Sequence, residues 1–237
     1  MLKGANVIIT GAGRGIGKST ALLFAEQGAN CVLVSRTASD LAQVAAEIEK
    51  KGGRAFPLES DISNDEHVSK IVQDTISTFG SIEILINNAG LGWRNDVVKA
   101  RVEDWDQTLA VNLRGAMRLT QKVLPVMMKK RNGVIINISS ISGKIGYAGS
   151  SAYCASKFGL MGFTEALFKE VRNEGIKVSV ICPGYVDTSL IPNTRKIDRS
   201  KMIDPHDIAK ACLFVATSSA VSCPTEIVIL PQRNPEC

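Results

Sequence analysis

The stretch Ser150–Leu160, SSAYCASKFGL, places Tyr153 and Lys157 four residues apart. On a helix such a pair shares one face. A free phenol has a pKa of about 10, too high for easy acid/base work near neutral pH. A nearby ammonium favours the phenolate and brings that value down. The pair is therefore a candidate general acid with its electrostatic partner. It equally fits a tyrosine packed on a core with a lysine reaching for water. Deciding between the two takes an oxyanion donor, a bound cofactor and a pocket, all from other segments.

Those segments follow a regular alternation. Apolar, β-branched runs occur at 6–10, 30–35, 55–59, 82–87, 133–139, 177–182 and 226–230. They are nearly continuous in hydrophobicity, as strands covered on both faces are. Helical patterns lie between them, near 15–28, 38–51, 64–79, 101–131, 151–174 and 205–217. Gly28 and Gly175 stand where the first and the fifth of these helices must stop. The alternation predicts an α/β fold with a parallel sheet, right-handed crossovers and helices on both faces. No repeat, low-complexity tract or linker interrupts the 237 residues, so the reading is one domain over 1–237.

After the first run comes TGAGRGIG, Thr10–Gly17, and then a helical stretch. Glycine allows a sharp turn and close approach of a pyrophosphate, and the helix start adds free N–H groups and a positive dipole end. A glycine trio alone is also what a simple tight turn uses; its place between strand and helix makes it a dinucleotide loop. The second strand ends in Ser35, with Arg36 following. An NAD binder usually carries an acid there for the ribose hydroxyls. Arg36 and Arg14, the latter inside the glycine loop, can instead clamp a 2′-phosphate with charge-assisted forks. The expected cofactor is NADP(H), preferred over NAD(H).

Composition narrows the partners. The formal charge is +5, from 28 basic and 23 acidic residues, too weakly basic to argue for nucleic acid. Six cysteines without a C-x-x-C read as reduced thiols of a cytoplasmic protein. The two histidines, His67 and His206, sit in polar surroundings and give a metal little to bind. No apolar run approaches membrane-spanning length, and the first residues enter a short β-like run rather than a signal peptide.

TGAGRGIG, NNAG (Asn87–Gly90), VNLRG (Val111–Gly115), NISSISG, YCASK and ICPGYVDT occur in order over nearly the whole chain. In this the sequence resembles the short-chain dehydrogenase/reductase family, and within it 3-oxoacyl-carrier-protein reductases and small carbonyl reductases. The resemblance implies a seven-stranded, doubly wound Rossmann fold. It implies Tyr153 as general acid, Ser140 rather than Ser139 on the same carbonyl oxygen, and Lys157 on the nicotinamide ribose. Asn112 would hold a water that feeds protons to Lys157. The cofactor would lie along Gly11, Gly13, Arg14, Gly15, Ile16 and Gly17, then Ser35, Arg36, Asp61 and Ile62. It would continue past Asn88, Ala89, Gly90, Tyr153 and Lys157 to Pro183, Gly184, Val186 and Thr188. The resemblance also implies a homotetramer first and a dimer second. Cys154 beside the tyrosine points elsewhere on the helix and is not read as a redox group.

The chain also departs from the family. The tail CPTEIVILPQRNPEC lacks the usual V-D-G-G, and Pro231 follows the last strand. The span 188–203 is short for a substrate lid and carries Arg195, Lys196, Arg199 and Lys201, which fit an acidic or phosphorylated substrate or a solvated loop, the loop being the preferred reading. Glu174 stands where carrier-protein reductases place a basic residue, with Arg131 opposite, so carrier-protein docking is not favoured. The expected activity is NADPH-dependent reduction of a ketone, such as a 3-oxoacyl thioester or small carbonyl compound. An oxidative alcohol, sugar or hydroxy-acid dehydrogenase uses the same residues. A cofactor-sensing protein without turnover would not need the full set of Asn112, Ser140, Tyr153 and Lys157.

Overall fold

A computed structural model of the chain describes residues 2–191, 194 and 197–236. The seven apolar runs form β1 (Asn6–Thr10), β2 (Asn30–Ser35), β3 (Arg54–Glu59), β4 (Ile84–Asn87), β5 (Gly133–Ile138), β6 (Ile176–Pro183) and β7 (Glu226–Ile229). They make one parallel sheet in the order β3-β2-β1-β4-β5-β6-β7. Every residue of β1, β4 and β5 is buried, which is why these runs show no polar alternation. The edge strands β3 and β7 are partly exposed. Strand order reverses between β1 and β4, and a crevice outside the carboxyl ends opens at such a point.

The helices are α1 (Gly15–Glu26), α2 (Ala38–Lys50), α3 (Asp65–Phe79), α4 (Val102–Leu109), α5 (Ala116–Lys130), α6 (Ser151–Val171) and α7 (Pro205–Thr217). Two apolar layers sandwich the sheet. Phe24, Leu41, Val44 and Ile208 from α1, α2 and α7 pack on Val7, Ile9 and Leu33. Ile71, Leu119, Val123 and Leu167 from α3, α5 and α6 pack on Ile8, Val32 and Ile135. Gly28 and Gly175 stand at positive φ, as the helix stops require. α6 ends at Val171, and its last three expected residues tighten into a 3₁₀ turn, Arg172–Glu174.

The stretch expected as one helix over 101–131 is continuous from α4 to α5, but Ala110–Gly115 between them is π-helical. The wider turn packs tightly on its neighbours. Gly115 lies flat on the loop after β3, where an added Cβ would come within 2.8 Å of Ile62 O. The same turn carries Asn112 into the interior. π segments of this kind recur at functional sites.

The glycine loop is locked to β4 by its own chain. Asn88 Nδ2 donates to Thr10 O at 2.9 Å and Gly11 O at 3.3 Å. The N–H groups of Asn88 and Ala89 both donate to Thr10 Oγ1 at 3.0 Å. This leaves no room at Gly17, where a Cβ would stand 2.1 Å from Gly11 O and 2.6 Å from Asn88 Nδ2. Neither neighbour is a free chain end, so Gly17→Ala must displace backbone. The expected cost is about 1–3 kcal/mol, a fall in Tm on the order of 5 °C for a chain of this size. A thermal melt followed by circular dichroism checks it; an unchanged Tm contradicts the packing described.

Candidate active site

Lys157 sits in the second turn of α6 and is 4% exposed. Its ammonium donates to Ile138 O, the last carbonyl of β5, at 2.8 Å. An ammonium has three N–H donors, and this is the one hydrogen bond it makes among the described residues. Burial pushes its pKa down to about 8. Cys182, whose charge would oppose that shift, is itself pushed up to about 11 by burial and stays a neutral thiol. The lysine thus loses its proton far more readily than a solvated one.

Tyr153 lies one turn earlier, with Lys157 Nζ 5.7 Å from its ring centroid. The Ser140 hydroxyl, which accepts from Ser142 N at 3.1 Å, lies close enough to the phenol to act on its pKa. Ser139 turns the other way and donates to Lys157 O at 3.2 Å, securing α6 to the end of β5. Of the two serines, then, Ser140 faces the tyrosine. The expectation that lysine lowers the phenol pKa is corrected. Burial comes first and raises it; the Ser140 bond and the Arg94 charge lower it, Cys154 raises it, and the net value stands above the ordinary one. The physical reason is that Tyr153 loses water before any ligand charge replaces it.

Asn112 is buried within the π turn. Its Oδ1 accepts from Leu91 N at 2.7 Å, and its Nδ2 donates to Leu91 O at 2.9 Å and Ser156 Oγ at 3.1 Å. Gly90 lies between it and the lysine: a Cβ there would be 3.5 Å from Asn112 Oδ1 and 3.7 Å from Lys157 Nζ. Beneath this group runs a buried polar layer. Asn87 Nδ2 donates to Asn137 Oδ1 at 2.8 Å and Thr120 Oγ1 at 3.0 Å, and Asn137 Nδ2 donates to Thr164 Oγ1 at 2.8 Å. Asn87 therefore ties β4, β5, α5 and α6 together rather than facing the crevice.

Along the crevice, Gly11, Gly13, Gly15 and Ile16 run from β1 into α1, with the exposed Arg14 at the helix N-cap. Ser35 ends β2, and its Oγ accepts from Thr37 N at 3.3 Å. Arg36 is exposed, and its charge is felt at Asp61. Asp61 is partly buried, which raises its pKa, but hydrogen bonds from Ser63 and the charge of Arg36 outweigh this and hold it low. Its Oδ1 accepts from Ser63 N at 2.8 Å and Ser63 Oγ at 2.7 Å. Ile62 is buried beside it. Two residues that the sequence did not place in the crevice join this end. His67 Nδ1 accepts from Asp61 N at 3.0 Å. Asp40 packs against the loop, its Cβ 2.7 Å from where a Gly13 Cβ would stand, with Ser35 Oγ 3.5 Å from the same point. A carboxylate in the first turn of α2 gave no motif to notice.

At the opposite end Pro183 closes β6, and Gly184 N donates to Ile229 O at 2.8 Å. Val186 is buried and bridges Ile203, while Thr188 leans on Gly15. Arg199 binds Asp187, Thr188 O and Ile191 O, so it ties the lid to itself. Lys201 pairs with Asp198 at 3.2 Å. Arg195 and Lys196 lie outside the described residues. The unusual tail turns back onto this lid: Asp198 N donates to Pro235 O at 2.8 Å, Glu236 bridges Ile197, and the Tyr185 hydroxyl donates to Glu236 Oε1 at 2.6 Å. Arg131 is taken by Glu174 at 2.9 Å.

The crevice fits a dinucleotide on its own geometry. The glycine loop offers backbone without side chains at the start of α1, and the buried ammonium of Lys157 keeps N–H groups for further acceptors, such as ribose hydroxyls. The comparisons agree. The model of the short chain dehydrogenase family matches residues 5–198. A 3-oxoacyl-acyl-carrier-protein reductase of Thermotoga maritima is 33% identical over 228 residues, covering 92% of this chain and 93% of its own. An uncharacterized oxidoreductase of Staphylococcus aureus is 36% identical, covering 94% and 96%. Among solved structures, a metagenomic short-chain oxidoreductase in complex with NADP superposes with TM-score 0.87 at 32% identity, covering 98% of this chain and 99% of that one. Levodione reductase superposes with TM-score 0.90 at 26% identity, covering 96% of each. With the family model spanning most of the sequence and the fold matching throughout, the chain belongs to the short-chain dehydrogenase family.

Proposed function

We propose that the protein is an NADPH-dependent reductase that turns a ketone, carried by a 3-oxoacyl thioester or a small carbonyl compound, into a secondary alcohol. The observation that carries this reading is the meeting of Ser140 and Tyr153 hydroxyls in front of a buried Lys157 at the carboxyl edge of the sheet. NADPH supplies the hydride when bound. Negative charge then grows on the carbonyl oxygen, and the two hydroxyls stand preplaced to stabilise it. Tyr153 Oη gives that oxygen its proton. The Lys157 ammonium stabilises the phenolate left behind and can return a proton to it. Asn112 Oδ1 keeps a second lone pair after accepting from Leu91, and so can anchor a water that recharges Lys157.

The cofactor would lie with its pyrophosphate on Gly11, Gly13, Gly15, Ile16 and Gly17 at the start of α1. Asp61, Ile62, Asn88, Ala89 and Gly90 would line the adenosine side, and Pro183, Gly184, Val186 and Thr188 the nicotinamide. Arg14, Ser35 and Arg36 would hold the 2′-phosphate, against the charge of Asp40. The NADP in the metagenomic structure and the reductase name of the Thermotoga relative support these assignments. Carrier-protein docking is disfavoured because Glu174 neutralises Arg131. A cytoplasmic homotetramer is the expected assembly. Two separate apolar surfaces suit it: Met117 and Phe158 on α5 and α6, and Phe214, Val228 and Leu230 at the β7 edge.

Two outcomes test this reading. With an acetoacetyl thioester or a small ketone, wild-type protein should consume NADPH, and Tyr153→Phe should lower kcat by about 10²–10⁴-fold while NADPH fluorescence still reports binding. Turnover that survives the substitution would exclude Tyr153 as the acid. In Arg36→Asp, the KM for NADPH should rise by about tenfold or more, the loss of a charge-assisted phosphate contact, with NADH affected far less. Equal effects on the two cofactors would remove Arg36 from 2′-phosphate binding.

A further inference from the structure

The loop after β4 carries Arg94 over the mouth of the site. It is anchored on both sides. A Cβ at Gly92 would lie 3.5 Å from Leu190 Cδ1 and 3.8 Å from Tyr153 Cδ2, so this part of the loop covers the phenol ring. Asn95 N donates to Gly149 O at 2.9 Å, just before α6. Between these anchors lies the exposed Arg94, whose charge is felt at both the Tyr185 and the Tyr153 phenols. Tyr185 in turn donates to Glu236 Oε1 at 2.6 Å.

A guanidinium carries five N–H donors. Among the described residues no carboxylate forms an ion pair with Arg94. The described lid cations differ, since Arg199 and Lys201 are taken by Asp187 and Asp198. A guanidinium with donors to spare, beside the group that meets the carbonyl, is built for a planar anion. A neutral ketone or thioester gives that fork nothing to hold.

Resting on the reductase reading above, we infer that Arg94 recognises a carboxylate on the substrate, and that the preferred substrates are short oxo acids rather than neutral ketones. The test is calorimetric titration of the full chain, loaded with NADP⁺ so that no turnover occurs, with acetoacetate and with methyl acetoacetate. The wild type should bind acetoacetate about ten- to hundredfold more tightly than its ester, the range of one charge-assisted contact. Arg94→Gln should bring that ratio to about twofold or less, with Arg94→Lys in between. Equal affinities in the wild type, or a ratio untouched in Arg94→Gln, overturn the inference. The two readings fail separately. NADPH consumed with neutral ketones and no preference for acetoacetate overturns the recognition role alone. Carboxylate-selective binding without Tyr153-dependent NADPH consumption upholds Arg94 and overturns the reductase reading.

Discussion

Withdrawing an ammonium from water costs several kcal/mol unless acceptors replace the lost hydration. Lys157 is buried with one such acceptor, Ile138 O, and no carboxylate paired to it among the described residues. Its charge is therefore only loosely held, and its pKa falls to about 8. A group in that condition gains from any oxygen brought to it, whether a phenolate or a ligand hydroxyl. The neighbouring phenol is in the complementary state: burial raises its pKa and keeps its proton in place. An ammonium and a phenolate would stabilise each other, which favours passing the phenol proton to a reduced carbonyl oxygen.

Much of the surrounding architecture serves to keep that lysine where it is. β5 ends at Ile138 and delivers the accepting carbonyl, and Ser139 and Ser140 follow with opposite directions. One secures α6 through Lys157 O; the other turns to Tyr153. The layer of Asn87, Asn137, Thr120 and Thr164 sets β4, β5, α5 and α6 at fixed spacing beneath them. Asn112 closes the group by clamping Leu91 through both amide atoms and reaching Ser156. Buried networks of this kind impose a single geometry because any member left unpaired is costly.

The sheet and its order of elements were legible because β1, β4 and β5 are covered on both faces, and continuous apolar runs are what such strands look like. The glycine loop was legible because it stands between a strand and a helix. What the chain hides is set by packing between distant segments. The π turn around Asn112 sets Gly115 against Ile62 O, far away in sequence, where a side chain would not fit. Asp40 reaches Gly13 only through the β2–α2 crossover. The tyrosine pKa moves opposite to expectation because spacing reveals a lysine but not the water lost on folding. The tail lacked the family pattern, and its return to Tyr185 through Glu236 depends on contacts that no local motif encodes.

The buried ammonium is the claim on which the rest stands, and its titration can be followed directly. In protein labelled with ¹³C at lysine Cε, the Lys157 signal is assigned by its absence in Lys157→Arg and followed by NMR from pH 6 to 11. Burial disfavours the charged form, so the proton leaves early as pH rises. The predicted result is one lysine titrating near pH 8 while solvated lysines titrate at their ordinary value of about 10.4. A Lys157 signal that titrates together with the surface lysines would contradict the account, because the ammonium would then be hydrated rather than held in the sheet edge.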